Sequence, residues 1–252
     1  MACEDQGARK QGKLSKKTVK AKRRITLIKN RTVQLIFQTV YCTLGLVGCV
    51  ACLGIFDNIN LFRWDFYTYF TNLSNFLCLG VMIAELVETV RKKEDGYVNA
   101  APVLKFIGML GILLTFLVFN FVLAGAAGRD PQANWRIGSI TFHVILPVMY
   151  IADWFLFYER AKSKWYYPIA SIGFPLAYAV FLLIHAAILK FDTSILTPTN
   201  STLIYPYFFV NLETQGVPGV LMWIFILFVA FAAMGFIFYG IDRLVKKTEK
   251  NK

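Results

Sequence analysis

Six stretches of this chain are long and apolar enough to cross a bilayer, and that constrains the fold more than any other feature. They lie near residues 33–55, 66–90, 103–125, 137–159, 167–189 and 217–241. A helical crossing takes about 20 mostly apolar residues. With 57% of residues hydrophobic and only 17% charged, the chain is far from the balance of a soluble domain. The expected fold is all-α: a polytopic membrane protein of six transmembrane helices. The first stretch is too long, and too far from Met1, for a signal peptide, and no small-residue cleavage site follows it.

The formal charge of +12 would suit a nucleic-acid binder, but its distribution points elsewhere. Of the 27 Lys and Arg residues, only Arg63, Arg129, Arg136 and Lys190 fall on one side of the six-span frame. The rest fall on the other side: the N-terminal arm, the loops after the second and fourth spans, the C-terminal tail, and Lys105 at the start of the third span. This bias predicts that both termini face the cytoplasm. The domain plan is a disordered basic arm over 1–32, a transmembrane domain over 33–241 and a basic tail over 242–252. The arm, which includes "KQGKLSKKTVKAKRR", is too poor in apolar residues to fold alone. It is expected to touch anionic lipid headgroups, not nucleic acid, since no aromatic residues interleave its charges.

Cys49-Val-Ala-Cys52 has redox-motif spacing, yet it sits in an apolar helix without βαβ context and reads as packing. The loop 190–216 is long enough for a lid. It carries a glycosylation sequon, Asn200-Ser201-Thr202.

Polar residues inside spans are costly unless they face the bundle interior or a wet cavity. In the second span Thr68, Thr71, Asn75, Cys78, Met82 and Glu85 recur every three or four residues and so share a face. Ser139, His143, Pro147, Tyr150 and Asp153 form a similar stripe on the fourth. At 1.5 Å per residue, Thr71 and His143 both lie roughly 8 Å below the outer boundary. Asn120 and His185 end near the same level, so Thr71, Asn75, Asn120, His143 and His185 are expected to share one polar layer. Both histidines of the chain fall in it.

A hydroxyl beside an imidazole can act as a nucleophile, with the His taking and returning its proton. Asn amides can donate to a developing oxyanion. Thr71 and His143 are therefore the candidate catalytic pair, with Asn75, Asn120, His185 and Asp153 as candidate pocket or supporting residues. Asp153 sits deeper, too far down its helix to orient His143. Two His without a nearby set of Cys or acidic ligands make a thin zinc site, so no metal and no cofactor is expected. The competing reading is that Thr and Asn hydrogen-bond between packed helices, contributing roughly 0.6–2 kcal/mol each.

Three segments carry a family likeness: "YFTNLSNFL", "HVILPVMYIADW" and "YPYFFVNLETQG". On a six-span frame they resemble the bacterial integral membrane family called "Pr-six-Pr". They are more distantly similar to the androgen-induced gene (FAR-type) family of eukaryotic membrane hydrolases, which cleave fatty acid esters of hydroxy fatty acids. The resemblance covers about residues 30–245. It implies a Thr nucleophile at Thr71, in the context Tyr69-Phe70-Thr71, and a His partner at His143, which opens the run His143-x-x-x-Pro147. It also matches Tyr205-Pro206-Tyr207-Phe208 to the family's Tyr-Pro-Phe-like motif after the fifth span, which implies Tyr205 and Tyr207 as further candidate pocket residues. Asp153-Trp154 follows the bacterial pattern and departs from the eukaryotic one.

The expected function is thus an intramembrane lipid ester hydrolase whose substrate enters from the outer leaflet. The alternatives are a small-molecule or proton-coupled transporter, for which Glu85, Glu88 and Asp153 offer inner-half carboxyls, and a non-catalytic partner-binding membrane protein. Transport would need polar residues through the full depth, whereas hydrolysis needs them only in the outer layer. The expected partners are membrane lipids. The expected location is the plasma membrane in a bacterium, or an endomembrane or plasma membrane in a eukaryote.

Overall fold

A computed structural model describes residues 28–52, 64–96, 98–125, 131–159, 161–191 and 204–250. Six helices among them are long and apolar enough to span a membrane. They are α1 (Arg31–Cys52), α2 (Phe70–Arg91), α3 (Pro102–Leu123), α4 (Ile137–Leu156), α5 (Tyr167–Phe191) and α6 (Leu212–Lys250). No strand occurs among the described residues. Short 3₁₀ turns at Trp64–Thr68, Pro131–Trp135 and Phe208–Val210 precede α2, α4 and α6. Of the loop 190–216 expected as a lid, residues 192–203, with the sequon at Asn200, lie outside the described residues.

Helix starts follow capping chemistry. The Asn30 carboxamide oxygen accepts the Val33 N–H at 3.1 Å, and that of Asn211 accepts the N–H groups of Glu213 at 2.9 Å and Thr214 at 3.3 Å. Each satisfies donors that a helix start leaves orphaned. Asn211 explains why α6 begins before the expected residue 217. A short first turn forms and then breaks at Gly216 (φ 63°, ψ 173°), and the long apolar helix continues beyond Pro218. At its other end α6 runs on to Lys250, through most of the expected tail.

The last residues of the expected arm are tied down. The Ile28 N–H donates to Leu156 O, Gly96 N–H donates to Lys29 O, and the Arg31 guanidinium reaches Thr89 O and Val90 O. Those carbonyls close α2, where the backbone dipole favours a cation.

α3 is the hub, packing on α2, α4, α5 and α6. α2, α3 and α4 are the most enclosed helices and α6 the least. Exposed apolar side chains such as Ile36, Phe121, Ile184, Phe225 and Ile237 form the outer surface, as expected of a lipid-facing belt. This is an integral membrane protein by helix length and composition.

α1 approaches its neighbours through glycines. A Cβ at Gly45 would lie 2.7 Å from a Leu79 methyl, and one at Gly48 would lie 2.6 Å from the Phe142 ring and 2.8 Å from the Thr141 methyl. Small residues let membrane helices close up in this way. Gly48→Val is expected to destabilise the protein by about 1–3 kcal/mol through overpacking, read as a lower melting temperature in detergent, whereas Gly80→Ala, with nothing near its Cβ, should leave it unchanged.

Candidate functional site

The outer end of α2 is held by side chains from distant segments. The first amides of a helix have no intrahelical acceptor. Here the Phe70 N–H donates to the Tyr207 hydroxyl oxygen at 3.1 Å. The Asn72 amide donates to Phe66 O at 2.7 Å, and the Tyr178 hydroxyl donates to Thr68 O at 2.6 Å. Thr71 sits in this pinned first turn, with its side chain among the hydrogen-bonding neighbours of Tyr207. Burial pushes the Tyr207 hydroxyl up to about 12, so it is a neutral donor at physiological pH.

Opposite stands His143, on a stretch that is not regular α-helix. Thr141–Ile145 of α4 and Phe119–Leu123 of α3 both form π-helical turns, a widening often found at functional sites. The two turns face each other: the Phe119 ring stacks on the His143 ring, centroids 3.5 Å apart and planes within 10°. Pro147 explains the local backbone. In the widened turn the Leu146 N–H bonds Thr141 O, and Pro147 has no N–H to offer Phe142 O or His143 O. Two asparagines replace the missing donors. The Asn75 amide donates to Phe142 O at 3.0 Å, and the Asn120 amide donates to His143 O at 3.1 Å. The His143-x-x-x-Pro147 spacing thus has a structural meaning: the proline orphans the carbonyl of the histidine four residues before it.

His143 Nδ1 lies 2.8 Å from Ser139 O. A carbonyl only accepts, so Nδ1 carries the proton and the basic lone pair is on Nε2.

Thr71 and His143 line one cavity of about 660 Å³, together with Tyr69, Arg136, Ser139 and Tyr207. Arg136 is exposed at this cavity. A second cavity of about 90 Å³ runs between α3, α5 and α6 and is almost wholly apolar, with Leu114, Val118, Pro175, Ala179, Ile224 and Phe228 in its wall. Thr71, Phe119, Leu123 and Tyr207 line both. Thr71 therefore stands where a polar chamber meets an apolar slot.

The other expected layer residues divide. Asn75 and Asn120 lie at the expected level, but their amides are committed to backbone carbonyls, so they hold the His143 turn and are not donors to a substrate. His185 lines neither cavity; it is half-buried on α5 beside Phe181. Position along a helix sets a level but not a direction around its axis. Tyr205 lies under the Lys190 ammonium, 5.3 Å from ring centroid to nitrogen, and also lines neither cavity.

Asp153 belongs to a separate polar cluster near the opposite, basic end of the bundle. Lys105 is fully buried there and ion-paired to both Glu85 and Asp153, each fully buried too. Lys105, counted with the basic side, does not present its charge at the surface: its stem carries the ammonium inward to two carboxylates on α2 and α4. Among the described residues no three His, Cys, Asp or Glu side chains come together to hold a metal ion.

The Asn120 assignment can be checked. Asn120→Leu orphans the His143 carbonyl and is expected to cost about 1–3 kcal/mol. In a Pro147→Ala background, which supplies an N–H four residues on, the same change should cost distinctly less. Thermal melts of the four proteins in this double-mutant cycle read the coupling.

No protein-family model, no curated protein and no solved structure matches the chain, so the site rests on its own geometry.

Proposed function

We propose that the protein is an intramembrane hydrolase of lipid esters, with Thr71 as nucleophile and His143 as general base, in keeping with the family likeness of the segments that carry them. The observation that carries the reading is that Thr71 and Tyr207 line both the polar chamber and the apolar slot. An ester of a long acyl chain has that shape: a chain for the slot, and a polar reacting centre at the seam.

In this mechanism His143 Nε2 takes the Thr71 hydroxyl proton as Oγ bonds to the ester carbonyl carbon. The Tyr207 hydroxyl donates to the carbonyl oxygen as it becomes an oxyanion. The C–O bond to the alcohol breaks, and His143 returns the proton to the leaving oxygen. Water then repeats the sequence on the acyl-Thr71 ester, releasing the acid and restoring the hydroxyl.

The test is fluorophosphonate labelling of the purified, folded protein with peptide mapping, alongside hydrolysis of nitrophenyl esters of long-chain acids. Phosphonylation at Thr71, lost in a folded Thr71→Ala variant, is the expected result. Folded wild type that neither takes the probe nor hydrolyses the esters overturns the reading.

A further inference from the structure

The basic end of the bundle holds a second site that the hydrolase reading does not use and does not depend on. Glu85, Lys105 and Asp153 come from α2, α3 and α4, the three most enclosed helices, and none has any side-chain exposure. Two carboxylates face one ammonium. Fully ionised, the cluster would carry one uncompensated negative charge inside the membrane domain. Such a charge is strongly unfavourable unless something neutralises it.

Among the described residues the surroundings supply no second cation. α1 presents Tyr41 and Cys42, α2 presents Cys78, and α4 presents Tyr150, with Tyr158 just beyond its end. Tyr41 and Tyr150 pack at 5.8 Å between ring centroids and lie within electrostatic range of Asp153. From α6, Asp242 and Arg243 are engaged elsewhere: Asp242 accepts the N–H groups of Ala161 and Ser163, and Arg243 donates to Ser163 O.

The polar groups around the cluster are also under-used. Among the described residues, Glu85 Oε1, Asp153 Oδ1, the Tyr41 hydroxyl and both amide atoms of the fully buried Gln38 have no hydrogen-bond partner. Gln34 Nε2, one turn closer to the basic end, is in the same condition. Gln34, Gln38 and Tyr41 follow one face of α1, a polar track from the helix start to the cluster.

We propose that Glu85, Lys105 and Asp153 form a proton-binding site, holding one exchangeable proton between the two carboxyl groups, with the Gln34–Gln38 face of α1 as its route to the basic end. A proton neutralises the surplus charge and converts one carboxylate into a donor for its unpartnered neighbours. Glu85→Gln or Asp153→Asn each leaves one carboxylate against one ammonium, so each should abolish the need for that proton.

Infrared spectroscopy of the full-length protein in detergent at neutral pH tests this. Wild type is expected to show the C=O stretch of a protonated carboxyl, shifting in D2O. Folded Glu85→Gln and Asp153→Asn should both lose it. Absence of the band from wild type overturns the proposal, as does its survival in either variant. Thermal stabilisation of a band-free wild type by sodium or potassium at fixed ionic strength also overturns it, since a metal cation would then hold the place of the proton. The wild-type spectrum decides even where a variant fails to fold.

Discussion

Lys105→Met leaves little folded protein. The change keeps the length and apolar stem of the side chain but removes the one cation shared by Glu85 and Asp153. Breaking a buried ion pair from one side costs about 3–5 kcal/mol, because the remaining charge stays buried without a partner. Here two carboxyls lose their partner at once. Against a total stability of about 5–15 kcal/mol, that is a large fraction. The contrast with the acidic partners gives the prediction its content. Glu85→Gln should melt close to wild type, since the pair Lys105–Asp153 remains. The triple variant Lys105→Met, Glu85→Gln, Asp153→Asn should recover much of the loss, because no charge is left to strand. Thermal melts in detergent and resistance to limited proteolysis read these differences. A Lys105→Met protein that melts like wild type would mean that the cluster contributes nothing to holding α2, α3 and α4 together.

On the proposed mechanism, His143→Ala lowers ester turnover by about 10²–10⁴-fold, the usual contribution of a positioned general base. Tyr207→Phe removes the donor to the developing oxyanion and is expected to lower turnover by about 10²–10³-fold. It also leaves the Phe70 N–H without its acceptor, so its melting temperature should fall as well. His143→Ala loses the stack on Phe119 but keeps the backbone bonds from Asn75 and Asn120, which serve carbonyls and not the ring. A His143→Ala protein that folds and turns over ester at the wild-type rate would remove the histidine from the chemistry. His185→Ala, away from both cavities, is the matched control and should change turnover little.

The spans were legible because run length and hydropathy are local properties, and each of the six helices overlaps its expected stretch. The stripe on α2 was legible from its period. What the period could not reveal is that one stripe serves two places: its outer part meets α4 at the chamber, while Glu85 meets α3 and α4 at the basic end. The burial of Lys105 is hidden for a related reason. Counting cations near span ends takes no account of where a long stem points, and the partners that draw this one inward lie 20 and 48 positions away along the chain. The π-helical turns escaped a reading based on regular helical spacing, although Pro147 was a visible signal that the carbonyl of His143 would need another donor. The caps at Asn30 and Asn211 were equally visible, since each stands just before an apolar helical run.

The ties at Ile28, Lys29 and Arg31 fix where the N-terminal segment meets the bundle. That junction is clamped to the closing turns of α2 and α4 and to the loop before α3. A fusion partner joined ahead of Ile28 would leave the clamp whole, whereas a truncation crossing Arg31 would open it. It would free the last carbonyls of α2 and remove the start of α1 in the same cut. The usable boundary for trimming this protein is therefore set by the attachments at Ile28, Lys29 and Arg31, not by where the basic residues stop.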